Sequence, residues 1–204
     1  MIKITLLGDS IRWIGYGKTV PELLGEEFEV WQPNDNCRFA KYTLRGLFEW
    51  AEQMNGSRIV HWNNGLWDVC DIFGDGKAFT SIEEYTENVL RIADLLLARY
   101  EKVIFATTTP VWPEDPYNDN AVIEKYNNAI VPKLCEKGVI INDLYALVSQ
   151  DIKRYISDDL IHLSEEGVKL CSNQTVKIIK ETAKTLKADY IAEKFEKNIT
   201  GAPV

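Results

Sequence analysis

Short apolar runs alternate along the chain with longer stretches whose apolar residues keep helical spacing. The runs are rich in β-branched and aliphatic residues and are bounded by turn residues, which is typical of strands. Five of them are predicted to be strands, at residues 2–7, 27–31, 57–62, 102–108 and 139–141.

Helices are predicted in the intervals between these strands. They are placed at residues 42–54, from the N-cap Ser81 to about Tyr100, at residues 119–137, and after the N-cap Ser164. Pro132 lies inside the third of these helices and is expected to kink or break it. Asn55-Gly56 is a good C-terminal stop for the first one.

Regular alternation of strand and helix implies a parallel sheet with helices on both faces. We therefore predict an α/β protein, a three-layer α/β/α sandwich with a parallel sheet of about five strands. Residues 1–187 form this domain. Residues 188–204 are predicted to be a helical or partly ordered tail that packs on the domain or on a partner.

Composition narrows the class of protein. The chain has 204 residues, of which 46% are hydrophobic and 26% charged, as in an ordinary globular domain with a sizeable core. Its formal net charge of -8 disfavours nucleic acid and anionic membranes, because both bind basic patches. No apolar run approaches the length of a membrane span. A small-molecule substrate is the expected partner.

Two further features concern the compartment of the protein. The N-terminus has no basic region followed by an apolar stretch and a cleavage site. This favours a cytoplasmic protein, with a secreted chain trimmed of its leader as the alternative. The cysteines lie far apart and form no CxxC pair, so they are interpreted as buried thiols in a reducing compartment; they are Cys37, Cys70, Cys135 and Cys171.

The candidate chemistry begins at Gly8-Asp9-Ser10, directly after the first strand. Ligands bind at the carboxyl edge of an open parallel sheet, which is where Ser10 is expected. A serine needs a base to become a nucleophile, and the base needs a carboxylate to hold its tautomer. His162, with Asp159 three residues earlier, fits both needs.

Both motifs have a plainer interpretation, since Asp and Ser are common turn residues. Their combination outweighs it, because one motif follows the first strand and the other precedes the last helix. The only other histidine, His61, lies within a strand and is expected in the core or facing a helix. It offers no pair for a metal ion, so no metal or cofactor is implied.

With these motifs the sequence resembles the SGNH (GDSL-type) hydrolase superfamily over nearly its whole length. The nucleophile block is Gly8-Asp9-Ser10, and the final block is Asp159-Leu160-Ile161-His162 with its following helix. The resemblance implies a flavodoxin-like fold and ester hydrolysis through an acyl-enzyme. It also implies that Ser10 is the nucleophile, His162 the base and Asp159 its orienter.

The two middle blocks depart from the pattern of the superfamily. Cys37 stands where a glycine would give its backbone N–H to the oxyanion hole, and Gly46 is a weaker candidate for that donor. In the third block Trp67 stands in place of the donor asparagine, so Asn63 is favoured as the amide donor, with Asn64 as the fallback. The expected oxyanion hole is therefore formed by Ser10, Cys37 and Asn63.

Aromatic residues suggest how a substrate would be held. Trp13, Trp67 and Trp112, with Tyr117 nearby, fall on loops at the predicted edge, and aromatic faces suit sugar rings or acyl groups. Together with Asp9, these three tryptophans are the candidate substrate-binding residues. The other tryptophans, Trp31, Trp50 and Trp62, are expected in the core.

The functional prediction is a serine esterase for a small carboxylic ester, with an acetylated carbohydrate as one candidate. The first alternative is a binding module on a scaffold whose catalysis has lapsed. A phospho-acceptor receiver domain is a distant third. That domain needs an aspartate after the third strand and a lysine after the fifth, where this chain has Asn63 and Asn142-Asp143.

Overall fold

Five parallel strands form one sheet in the order β2-β1-β3-β4-β5. The computed structural model describes residues 1–190, and the predicted tail beyond Tyr190 lies outside the described residues. The strands are β1 Ile2–Leu7, β2 Phe28–Trp31, β3 Ile59–Asn63, β4 Lys102–Ala106 and β5 Ile140–Asn142. The predicted parallel sheet is confirmed, and its strand ends shift by only a few residues.

Two groups of helices flank the sheet. They are α1 Val20–Leu24, α2 Ala40–Glu49, α3 Ala51–Met54, α4 Leu66–Val69, α5 Ile82–Leu97, α6 Asn120–Glu136, α7 Leu144–Val148, α8 Ile152–Tyr155 and α9 Glu165–Ala183. Helix α5 packs against α2 and α6, while α9 packs against α1, α7 and α8. Every residue of β3 is buried between the two groups, the polar His61 and Asn63 included. None of the described helices is long and apolar enough to cross a bilayer.

Two helices differ from the prediction. The helix expected at residues 42–54 is divided into α2 and α3 at Trp50, whose indole packs over Gly46. Helix α6 continues through Pro132, which excludes the break that was one of the two expectations there. Pro132 removes the N–H that would bond the carbonyl of Asn128, and Asn128 is exposed, so water can take its place.

Trp62 lies at the centre of the core, as predicted. Its ring meets that of Phe105 edge-on, with centroids 4.8 Å apart. Trp31 and Trp50 are only partly buried and pack at the margin of the core. Of the four cysteines, Cys135 is exposed on α6, because it faces away from the sheet; the prediction that it is buried was wrong.

The start of α9 is packed tightly against the carbonyl end of α8. Gly167, in the first turn of α9, lies so close to the backbone of Tyr155 that a Cβ on it would be 2.0 Å from the carbonyl oxygen. The same carbonyl accepts a hydrogen bond from the N–H of Ser164. This contact fixes both ends of the segment that carries Asp159 and His162.

Gly167→Ala is expected to destabilise the protein, although Ala normally favours a helix over Gly by about 1 kcal/mol. The clash with Tyr155 should lower the free energy of unfolding by about 1–3 kcal/mol, as measured by urea denaturation. Lys169→Ala, at an exposed position of the same helix, is the control and should change it by less than about 0.5 kcal/mol. A Gly167→Ala protein as stable as the wild type would contradict the packing.

Candidate active site

Ser10, His162 and Asp159 meet at the carboxyl edge of the sheet. The hydroxyl Oγ of Ser10 lies 2.8 Å from Nε2 of His162, and Nδ1 of the same ring lies 2.8 Å from Oδ2 of Asp159. Ser10 is nearly buried, whereas the Asp159 side chain is half exposed. The neutral imidazole can therefore donate from Nδ1 to the carboxylate and accept the serine proton at Nε2.

The turn that carries Asp159 and His162 is closed by its own backbone. Ile156 and Leu163 pair as an antiparallel bridge, and the N–H of Ser157 donates to the carbonyl of His162 over 2.7 Å. Leu160 at the tip has φ of 76°, a left-handed conformation that is unusual for a residue with a branched side chain. Such strain persists only where the surroundings hold it in place.

Trp112 is one of those surroundings. Its backbone N–H donates to the carbonyl of Leu160, and its indole Nε1 donates to the carbonyl of Ile156. The ring is half buried against the turn and does not line the two cavities beside Ser10 described below. Trp112 was predicted to bind substrate; in the structure it lines neither of these cavities, and both of its N–H groups are bonded to the turn.

The Asp159 carboxylate is held in its charged form. Its partial burial raises its pKa, but hydrogen bonds from the N–H groups of His162 and Ile161 and from the imidazole lower it by more. The Ser157 hydroxyl adds a further donor at 2.8 Å. The resulting pKa lies well below the usual 3.8, so the carboxylate stays ionised throughout the neutral range.

Asp159→Asn is expected to place a proton on the wrong nitrogen of His162. The new amide would donate to Nδ1, leaving Nε2 protonated and unable to accept from Ser10. Labelling of Ser10 by a fluorophosphonate should slow by about 10³–10⁴-fold, and nitrogen NMR should show the changed tautomer. Asp158→Asn, at the exposed neighbouring position, is the control. Wild-type labelling of the Asp159→Asn protein would contradict this role.

Cys37 does not offer its backbone N–H to the site. That N–H donates to the carbonyl of Gly8 over 3.1 Å, and the Cys37 thiol accepts from the N–H of Gly8 over 3.3 Å. Burial raises the pKa of the thiol. The prediction that Cys37 supplies an oxyanion donor is thus contradicted, because the group is already bonded. Gly46 is no substitute, since it lies inside α2 beneath Trp50.

Arg12 is a buried residue that the sequence analysis missed. It is 1% exposed, and its guanidinium donates to backbone carbonyls on two segments. Nη2 bonds the carbonyls of Gly8 and Asp35, and Nη1 bonds that of Pro33. The guanidinium therefore ties the loop after β2 to the end of β1. The sequence signal that could have identified Arg12 is its position two residues after Ser10, on the first helical turn.

The two asparagines after β3 have different partners. Asn63 donates from Nδ2 to Oδ1 of Asp9 over 2.7 Å and accepts at Oδ1 from the hydroxyl of Tyr16 over 2.8 Å. Asn64 donates instead to the carbonyl of Arg38. Asn63 thus belongs to the turn that carries the serine, and Nδ2 retains a second hydrogen beyond the one given to Asp9.

Asp9 lies beneath the serine and is 1% exposed, so it cannot contact a substrate as predicted. Its Oδ1 accepts from the N–H of Ile11 as well as from Asn63. Burial raises the pKa of Asp9 to about 6, and these hydrogen bonds and the Arg12 charge limit the rise. Asp9 is therefore a buried support of the turn.

His61 lies in the core, as predicted. Its Nε2 is 3.0 Å from the amide nitrogen of Asn142, and its ring meets that of Tyr16 edge-on. Complete burial lowers the pKa of His61 to about 3, which keeps the ring neutral. His61 is fully buried in β3, and its bonding partner is Asn142, whereas Ser10 is bonded to His162.

Two cavities open beside Ser10. The first, the apolar cavity, has a volume of about 190 Å³ and is lined by Ser10, Leu66, Trp67, Cys70, Ile72, Tyr117, Asn118 and Ile161. The second, the histidine-side groove, has about 330 Å³ and is lined by Ser10, Trp13, Ile14, Asn36, Trp67, Ile161 and His162. Trp13 and Trp67 are about two-fifths exposed, so their faces are open to a ligand.

Solved structures with the same architecture are known. A lipase/acylhydrolase from Enterococcus faecalis superposes with a TM-score of 0.75 at 20% identity, covering 89% of this chain and 97% of that one. A lipolytic protein of the G-D-S-L family from Veillonella parvula gives 0.72 at 14% identity, covering 88% and 99%. An acetylxylan esterase from Geobacillus stearothermophilus gives 0.72 at 17% identity, covering 87% and 94%.

No family model and no curated protein matches the sequence. The structural likeness nevertheless extends over most of the chain and over nearly the whole of each of these proteins. The chain therefore has the SGNH hydrolase fold, and the predicted fold class is confirmed. At these identities the likeness establishes the fold, and the chemistry has to be argued from the site.

Proposed function

We propose that this protein is a serine esterase that hydrolyses a small carboxylic ester through an acyl-enzyme on Ser10. The observation that carries the proposal is the continuous chain of hydrogen bonds from Ser10 through His162 to Asp159. A serine, a base and an orienting carboxylate at these distances form an activated nucleophile. Ser10 is nearly buried and lines two cavities, and these cavities give a substrate space beside it.

In the first half of the reaction, Oγ of Ser10 attacks the ester carbonyl carbon while Nε2 of His162 takes the hydroxyl proton. The tetrahedral intermediate then collapses, the bond to the alcohol oxygen breaks, and the imidazolium gives its proton to that oxygen. Asp159 stabilises the imidazolium throughout, since its low pKa keeps it charged. The alcohol leaves, and the acyl group remains on Ser10.

In the second half, water attacks the acyl carbonyl while His162 takes a proton from it. Collapse of this intermediate breaks the bond to Oγ, which recovers its proton from the imidazolium. The carboxylic acid leaves. The same two proton transfers thus serve both halves, and the net reaction consumes one water for each ester.

Two donors are proposed for the oxyanion. The N–H of Ser10 stands at the start of a helical turn, where the first N–H groups have no acceptor within the helix. The second donor is the remaining hydrogen on Nδ2 of Asn63, whose amide is held by Tyr16 at Oδ1 and by Asp9 at Nδ2. Both were expected from the sequence, and Cys37, the third expected donor, is left out of the proposal because its N–H is bonded to Gly8.

Asn63→Ala is expected to lower kcat for a p-nitrophenyl ester by about 10²–10³-fold, the usual cost of one oxyanion donor. Asn64→Ala is the matched variant. It removes the bond to the carbonyl of Arg38, so it should lower thermal stability while leaving kcat of the folded protein close to that of the wild type. If Asn64→Ala lost as much kcat as Asn63→Ala, the amide donor would have to be reassigned.

An acylated carbohydrate is the candidate substrate. The exposed faces of Trp13 and Trp67 border the histidine-side groove, and aromatic faces stack well on the apolar faces of sugar rings. Among the proteins of the same fold is an acetylxylan esterase. The negative net charge of the chain favours an uncharged substrate over an anionic one.

Ser10→Ala is expected to abolish hydrolysis of p-nitrophenyl and acylated-sugar esters and to abolish labelling by a fluorophosphonate. The change removes one oxygen, so the circular dichroism spectrum and the melting temperature should stay close to wild type. Ser149→Ala, at an exposed position after α7, controls for the loss of a serine.

The labelling also separates the esterase from a scaffold whose catalysis has lapsed. The occupied N–H of Cys37 is the one observation that favours the lapsed scaffold. If the wild type were neither labelled nor active on any ester tested, the esterase proposal would fail. Labelling that persists in Ser10→Ala would assign the nucleophile elsewhere.

A further inference from the structure

The two cavities beside Ser10 share a wall. Trp67 and Ile161 line both of them, and both cavities reach Ser10. An ester has two arms, the acyl chain and the alcohol, which extend in different directions from the carbonyl carbon. The arrangement therefore offers one cavity for each arm.

The position of His162 decides which cavity receives which arm. The imidazolium must hand its proton to the oxygen of the leaving alcohol, so this oxygen has to lie on the histidine side of the serine. Of the described residues, His162 lines the histidine-side groove and does not line the apolar cavity. The alcohol thus belongs in the groove and the acyl chain in the apolar cavity.

We propose that the apolar cavity is an acyl pocket that selects esters whose unbranched acyl chain has about four to eight carbons. The inference rests on the proposed esterase function and narrows it. The preferred acyl group is then longer than acetyl. The alcohol arm, for which a sugar ring is the candidate, binds in the histidine-side groove.

The size of the cavity supports the chain length. A buried apolar cavity of about 150 Å³ is known to hold a benzene molecule, which has six carbons. The apolar cavity has about 190 Å³, so it exceeds that volume. An acetyl group would leave most of it to water in contact with apolar walls, which is unfavourable.

The walls of the cavity support an uncharged alkyl chain. Leu66, Trp67 and Ile161 form its sides, and no lysine, arginine or histidine is among its described lining residues. The Cys70 thiol donates to the carbonyl of Trp67 and is protonated, since burial raises its pKa to about 11. A carboxylate or phosphate on the acyl chain would find no cation here.

The first test varies the acyl chain at a constant leaving group. With p-nitrophenyl esters from acetate to dodecanoate, kcat/KM of the wild type should rise by about threefold per methylene to a maximum between four and eight carbons, as each methylene is buried, and then fall. A profile that peaks at acetate, or one that is flat, would overturn the proposal. Fluorophosphonate labelling of Ser10 in the same samples reports on the esterase function independently.

The second test fills the cavity. Ile72→Trp introduces a larger side chain at the rim, where Ile72 is about half exposed. The ratio of kcat/KM for octanoate to that for acetate should fall by at least about tenfold, because buried methylenes lose their space. Phe73→Trp is the matched control on the next residue of the same loop. Phe73 is 78% exposed and does not line the cavity, so its ratio should equal that of the wild type.

The third test distinguishes the two arms of the ester. A series of ethyl, butyl and hexyl butyrates varies the alcohol at a constant acyl chain. Ile72→Trp should leave the relative kcat/KM values of this series as they are in the wild type. If it changed the alcohol series and spared the acyl series, the assignment of the cavities would be reversed and the proposal wrong. The esterase function would survive that outcome.

Discussion

The contact between Gly8 and Asn63 is the constraint on which the site depends. Register places Leu7 of β1 beside Trp62 of β3, so the residues that follow these two meet where the strands end. A Cβ on Gly8 would lie 2.0 Å from Oδ1 of Asn63, which leaves room only for glycine. Because the two strand ends touch, the turn that bears Ser10 rests directly on the side chain that orients it.

Charge is buried beneath this contact. Asp9 and Arg12 are both almost fully buried on the turn that carries the serine, and burying an ion is costly unless it is well hydrogen-bonded. Asp9 is bonded by the amide of Asn63 and by a backbone N–H. Arg12 is bonded by carbonyls of two separate segments. These bonds hold the turn and the loop after β2 in one arrangement, so the backbone that carries Ser10 is fixed in position.

The opposite side of the site is built differently. The turn with Asp159 and His162 is half exposed and depends on its own backbone, on Trp112 and on the close fit of Gly167 against Tyr155. Ser10 is thus held by buried polar groups and His162 by a braced surface turn. The proposed role of His162, which is to accept a proton from the serine and then from water, suits a position at such a surface.

Local patterns predicted much of this protein. The strands and helices were predicted from the periodicity of apolar residues, because each element buries one face or both. The alternation of strands with helices then predicted the five-stranded parallel sheet. The spacing of Asp159 and His162 also predicted their contact, since three residues in a turn bring a carboxylate to an imidazole. The division of the helix at Trp50 was not predictable, because it depends on an indole packing over a glycine in the preceding turn.

The sequence by itself determined the fold class and the residues of the proposed triad. Both follow from short-range spacing and from the fact that the carboxyl ends of parallel strands meet at one edge of the sheet. Only the tertiary structure decided which hydrogen-bonding groups are free. Cys37 lost its N–H to Gly8, Asp9 and Trp112 became supports, and Asn63 was distinguished from Asn64 by its partners. A donor is available or occupied according to which acceptor the fold brings within hydrogen-bonding distance of it, and that acceptor is distant along the chain.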